Sequence, residues 1–207
     1  MVDAHVNQSD LGGYHLPLYC WPEVSWVAKL MHLKEVCFDP DAPFVKAGGM
    51  NRYRILDPGG SLLMSLPIAG GRSHHQSLGS TRLVSPPSWS TAHWKRLQNT
   101  YRRAPYFDYW SDDFENLILK PDAFLLDYNL RVLDYIMKKL KHPWAPQRMP
   151  IERSRLMTWN QKALTLPYYQ HFEDRLGFVS GLSIMDLLMQ CGPSESKAYL
   201  LSLSKVA

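Results

Sequence analysis

NRYRILDPGGSLLMSL, residues 51–66, sets two short runs on either side of Asp57-Pro58-Gly59-Gly60. In the first run Tyr53 and Ile55 alternate with Arg52 and Arg54, and after the turn residues 62–66 return as a second apolar run. Period-two alternation around a Pro-Gly-Gly break predicts an antiparallel hairpin. Outward from it the chain reads mostly helical. Pro22 and Glu23 suit a first helical turn. Val24, Val27 and Met31, widened by Trp26, Leu30 and Leu33, make an apolar stripe, so a helix is expected near 22–33. Val36-Cys37-Phe38 reads as a short buried strand ending at Asp39-Pro40, and residues 81–84 read as a third strand. Ser88 can cap a helix running to about Arg103, where Pro105 stops it.

The clearest helical signal covers 122–140. Leu126, Leu130, Leu133, Met137 and Leu140 share one face, and Lys138 and Lys139 fall in the last turn. Residues 142–150, with Pro143, Pro146 and Pro150, are the best linker, and a weaker helix is expected over 151–163. Ser183 to Asp186 opens a short helix like a capping box, Gly192 stops it, and Ser194 caps a last one. The fold class that follows is α+β: a small antiparallel sheet packed by several helices. It occupies a single domain over 14–207, with a loose polar segment at 1–13 ending in Gly12-Gly13.

Composition bounds the function. The chain has 207 residues, 45% hydrophobic and 20% charged, which is ordinary for a soluble domain and excludes a disordered one. No apolar run is long enough for a membrane span, and no signal peptide is read at the N-terminus, so a cytoplasmic protein is expected. Cys20, Cys37 and Cys191 are odd in number and scattered, which argues against a disulfide framework or a zinc knuckle. A net charge of +4 is too weak to imply nucleic acid, and no RNA- or DNA-binding signature accompanies it. Nothing matches a phosphate-binding Gly-rich loop, a dinucleotide fingerprint or a Gly-x-Ser-x-Gly elbow, and no cofactor is expected. His74-His75 and His171 lack metal-ligand spacing, so no metal is expected either.

Three ordered blocks carry a resemblance. The first joins Asp39, Phe44, Lys46 and Asn51-Arg52 to Arg54-Ile55-Leu56. The second runs from His93-Trp94 through Tyr101 to Ala104-Pro105-Tyr106-Phe107. The third holds Tyr169-Gln170-His171-Phe172, then Leu182 to Leu188 and Cys191-Gly192. In order and spacing they resemble the WbqC-like family. The resemblance implies a bacterial cytosolic protein, often linked with surface-polysaccharide or other biosynthetic gene sets, and an acyl or aminoacyl transfer to an amino group as its role. Two departures stand out. Pro17 and Pro22 are spaced unlike the family's opening prolines, with Ser25-Trp26 where the family has a Gly-aromatic pair. The stretch from Pro143 to Pro167 matches nothing in the family's Gly- and Ser-rich segment, so this chain reads as a shortened, divergent member.

The residues themselves suggest where chemistry would sit. His93 on its helix is either a hydrogen-bonded core histidine or a general acid/base, since imidazole titrates near working pH. Cys20 is either a small buried residue or a nucleophile whose thiol a helix start would acidify, provided His93 meets it in space. Asp39 and Asn51 are candidates to orient that pair. Arg52 and Arg54, two apart on a strand, share a face and with Lys46 suit a phosphate or carboxylate; the alternative is a solvated strand face. Tyr101, Gln170 and His171 are candidate substrate contacts. The expectation is a biosynthetic enzyme that transfers or condenses an acyl or aminoacyl group, from a carrier-protein thioester or a nucleotide-linked donor. The alternative is a non-catalytic binding module for a nucleotide-sugar or a carrier protein.

Overall fold

A computed structural model describes residues 14–46, 48–70, 76–86, 88–149 and 166–203. The element order is β1 (Tyr14–His15), α1 (Val24–Leu30), β2 (Val36–Phe38), β3 (Arg52–Asp57), β4 (Gly60–Ser65), α2 (Ser88–Tyr101), α3 (Phe107–Leu119), α4 (Leu125–Lys139), β5 (Gln147–Arg148), α5 (Glu173–Leu176) and α6 (Ile184–Leu203). The architecture is a single α+β domain with few, short strands.

Apolar side chains cover nearly every face of α1, where only Lys29 is exposed. A helix apolar all round belongs in the middle of a core. Accordingly α1 packs against α6, while α2 packs on α3 and α3 on α6. The expected stripe of α4 faces inward with Leu126, Leu130, Leu133 and Met137. In α3, Trp110, Phe114, Leu117 and Ile118 are buried. This helix was not anticipated between Pro105 and residue 122, although its apolar residues recur at helical spacing.

The hairpin forms as the alternation requires. β3 and β4 pair antiparallel from Arg52↔Ser65 to Asp57↔Gly60, leaving Pro58-Gly59 as a two-residue turn. The Gly59 N–H donates to Asp57 Oδ1 at 3.2 Å and fixes that turn. Tyr53 and Ile55 point into the core, whereas Arg54 points out. At the open end Asn51 Nδ2 donates to the Leu66 carbonyl at 2.8 Å, and the Leu66 N–H returns a bond to the Asn51 carbonyl.

A second sheet accompanies the hairpin. β2 sits between β1 and β5, parallel to both. β5 lies inside the stretch read as a linker. Residues 82 and 83 make isolated bridges to Phe124 and Ile68, so no third hairpin strand forms there. The expected helix at 151–163 and the loose segment at 1–13 lie outside the described residues. No helix among the described residues is long and apolar enough to cross a membrane.

Candidate functional site

The turn that leads into α1 and the outer face of the hairpin enclose a cleft of about 250 Å³. Tyr19, Cys20, Glu23 and Trp26 form one wall, Arg52 and Arg54 the other, with Leu63 opposite Arg54 on β4. Gly48 and Gly49 close one side. The Cys20 N–H donates to the Gly49 carbonyl at 3.1 Å and ties the loop to the turn. Gly49 has φ 82°, and a Cβ there would stand 3.4 Å from the Tyr19 ring. A side chain at that position would be strained by its backbone, while its contact with the Tyr19 ring would be ordinary.

Trp21, also on the cleft wall, has φ 41°. A bulky residue in the left-handed region costs on the order of 1–3 kcal/mol and persists only where its surroundings hold it. Here its indole N–H donates to the Tyr128 hydroxyl at 2.9 Å, and its ring packs edge-on to Phe114 at 5.0 Å.

Charge is distributed unevenly across the cleft. Arg54 is exposed and its guanidinium donates to Ser61 Oγ at 3.2 Å. Arg52 is half-buried, and its Nε is enclosed with no hydrogen-bond acceptor among the described residues. The Trp26 indole N–H is enclosed and unpartnered in the same way. Both atoms are closed off by protein, so among the described residues these are two donors left without acceptors inside the wall rather than groups open to the cleft. Glu23 supplies the only carboxylate among the described lining residues. Burial pushes its carboxyl up, and Arg54 draws it partly back down.

Cys20 lines this cleft but is only 1% exposed. Burial pushes its thiol well up, opposite to the acidification expected at a helix start. Cys20 lies four residues before α1 begins at Val24, outside the first turn where a helix dipole acts, so burial alone sets the direction. His93 does not line the cleft. Its Nδ1 lies 3.4 Å from the Tyr53 hydroxyl, a hydrogen bond whose direction follows the ring tautomer, and Tyr53 itself is a lining residue. Burial lowers the imidazole pKa, and a hydrogen bond to the Ser65 backbone partly offsets this. His93 is thus one hydroxyl behind the cleft wall, and wedged edge-on against Trp89.

The other candidates lie elsewhere. Asp39 accepts from the Asp41 N–H at 2.8 Å in a local turn, and Lys46 is exposed beside the Gly48-Gly49 loop. Asn51 is committed to the base of the hairpin. Gln170 exchanges two bonds with the Val179 backbone, at 2.9 and 2.8 Å, and holds the 170–179 loop. His171 packs edge-on to Phe172. Tyr101 is 1% exposed and donates to Asp186 Oδ1 at 2.8 Å. Tyr168 donates to the other oxygen of Asp186, also at 2.8 Å.

The cleft therefore gathers Cys20, Arg52 and Arg54 of the expected set, reaches His93 only through Tyr53, and leaves the rest outside. Sequence reading missed Tyr19 and Trp26 at this site and assigned Glu23 only to the helix start. Their spacing from Cys20 at a turn carries no periodic signal. Among the described residues no three His, Cys, Asp or Glu side chains gather to hold a metal ion.

Residues 19–149, well over half of the chain, match the profile of the WbqC-like protein family. The chain belongs to the WbqC-like family. The matched span includes both walls of the cleft and His93, and it ends before α5 and α6. No curated protein and no solved structure is significantly similar to the chain.

Proposed function

We propose that this WbqC-like protein binds the anionic part of a small-molecule substrate in the cleft and transfers an acyl or aminoacyl group there. The observation that carries the reading is the pair of guanidiniums, Arg52 and Arg54, on one wall of one cleft. Two forks on a shared strand face suit the oxygens of a phosphate or carboxylate. A volume of about 250 Å³ suits a phosphorylated fragment better than a whole nucleotide-sugar, because drug-sized ligands fill roughly 300–1,000 Å³. A thioester on Cys20 is not part of this proposal, since its thiol is buried and held protonated. Attack by an acceptor amine on the donor's acyl carbon forms the amide C–N bond, breaks the donor's C–S or C–O bond and releases the thiol or phosphate with the proton the amine gives up, and this needs no enzyme nucleophile. The same thiol state favours the second reading, a binding module without turnover, as Cys20 has no base within hydrogen-bond reach among the described residues that line the cleft.

Thermal unfolding with inorganic phosphate and with a nucleoside diphosphate tests the anion site. A ligand that binds only the folded state raises the transition temperature as its concentration rises. Phosphate should stabilise the wild-type chain, while Arg52→Gln and Arg54→Gln should each lose most of that shift. Equal shifts in all three chains would overturn the reading. Iodoacetamide at neutral pH provides the second arm. Cys20 should stay unmodified until the chain is denatured; rapid labelling of Cys20 in the native chain would restore it as a nucleophile.

A further inference from the structure

We infer that the ligand of the cleft carries a basic amine as well as an anionic group, with Glu23 as the residue that receives the amine. The inference rests on the anion-site reading above and deepens it. Glu23 and the two arginines line a single small cleft, and Glu23 is the only carboxylate among the described residues that line it. Among the described residues Glu23 makes no ion pair within 4 Å, although Arg54 is near enough to influence its ionisation. A carboxylate and a guanidinium that line one cleft without an ion pair between them can both be met by a single ligand. An ammonium beside Glu23 and an oxyanion beside Arg52 and Arg54 would do so.

The alternative for Glu23 is a structural cap. Its side chain makes no capping hydrogen bond to α1. Its backbone does the structural work instead, in an antiparallel bridge to Ser183. Among the described residues the Glu23 carboxylate thus has no hydrogen-bond or ion-pair partner, and the residue is half-buried. A half-buried carboxylate without a cationic contact is costly, and an ammonium contact would lower that cost. Tyr19, whose hydroxyl also senses Glu23, gives the amine end an aromatic neighbour.

Two probes of similar size separate the halves of this claim: O-phosphoethanolamine, with phosphate and amine, and ethyl phosphate, with phosphate alone. Titration calorimetry on the full chain should give the wild type a preference for O-phosphoethanolamine of about fivefold or more, equivalent to roughly 1 kcal/mol. Glu23→Gln, nearly isosteric and with its backbone bridge intact, should bring the two probes within about twofold while keeping or improving ethyl phosphate binding, because it removes a like charge. If the wild-type chain binds both probes equally, or Glu23→Gln keeps the preference, the amine inference is overturned and the anion site stands. If neither probe binds the wild-type chain, both readings fail together.

Discussion

Asp186 sets the energetic tone at the scale of single residues. Its carboxyl is fully enclosed, yet it keeps two tyrosine hydroxyls as donors, and Tyr101 in turn accepts from the Leu56 N–H at 3.3 Å. One side chain thereby joins the start of α6, the end of α2, strand β3 and the segment before α5. Burial raises the carboxyl to about 6, with the two hydroxyl bonds only partly opposing it. The folded state therefore holds this proton more tightly than the unfolded chain does. Stability from Asp186 is full below about pH 4 and is lost as pH rises through about 6, by on the order of 2–3 kcal/mol. Urea unfolding of wild type and Asp186→Asn at several pH values isolates the effect from other titrating groups. The stability of the wild type relative to the variant should fall between pH 4 and 7. A constant or rising difference would show that the hydroxyls, not burial, set the ionisation.

At the scale of elements, the kink in α6 is the instructive case. Pro193 has no N–H to give to the Met189 carbonyl four residues back, so that acceptor would be orphaned. The Tyr106 N–H fills it at 3.0 Å, from the junction between α2 and α3. Gly192, with φ 70°, lets the chain pass beneath the Tyr106 ring, where a Cβ would come to 2.4 Å from a ring carbon. Gly192→Ala should cost about 2–4 kcal/mol, part from the left-handed backbone and part from overlap. Trimming the ring relieves only the overlap. In a double-mutant cycle with Tyr106→Ala, denaturant unfolding should therefore reveal about 1 kcal/mol or more of coupling; strictly additive costs would refute the packing account. Elements like this one were readable, since Gly192 announces its own break, as Pro58-Gly59 announces the hairpin turn. Helix α4 was equally plain from its leucines. Helix α3 was obscured by the prolines that flank it, Pro105 and Pro121, and by its polar residues, although Trp110, Phe114 and Ile118 keep helical spacing. β1 and β5 are two residues each, and the parallel pairing of each with β2 joins positions far apart in the chain, which no local period encodes. The cleft was half readable. Arg52 and Arg54 declared a shared face by alternation, whereas the approach of Glu23 and the burial of Cys20 depend on tertiary contacts.

For the whole molecule, the question is whether the family-matched region stands alone. The match ends at residue 149, but the core does not. Ile184, Met185, Leu187, Leu188, Met189, Leu200 and Leu203 on α6 are all buried, against α1 and α3 in particular. At about 1.5–3 kcal/mol for each such side chain, α6 contributes roughly 10–20 kcal/mol of burial. That matches or exceeds the typical net stability of a domain, about 5–15 kcal/mol. The same segment stitches the cleft. The Val24 N–H donates to the Leu182 carbonyl at 3.1 Å, the Ser183 N–H to the Arg54 carbonyl at 2.8 Å, and the Ile184 N–H to the Pro22 carbonyl at 2.8 Å. Both cleft walls are thus registered by residues beyond the matched span. A chain ending at residue 181 should lose its cooperative thermal transition and near-ultraviolet dichroism, and phosphate should no longer stabilise it. If that chain instead unfolds cooperatively and still responds to phosphate, the matched region is self-sufficient and α6 is an addition to it. Loss of the phosphate response with cooperative unfolding intact would place the contribution of α6 in the cleft alone, because the three backbone bonds would then matter more than the buried leucines.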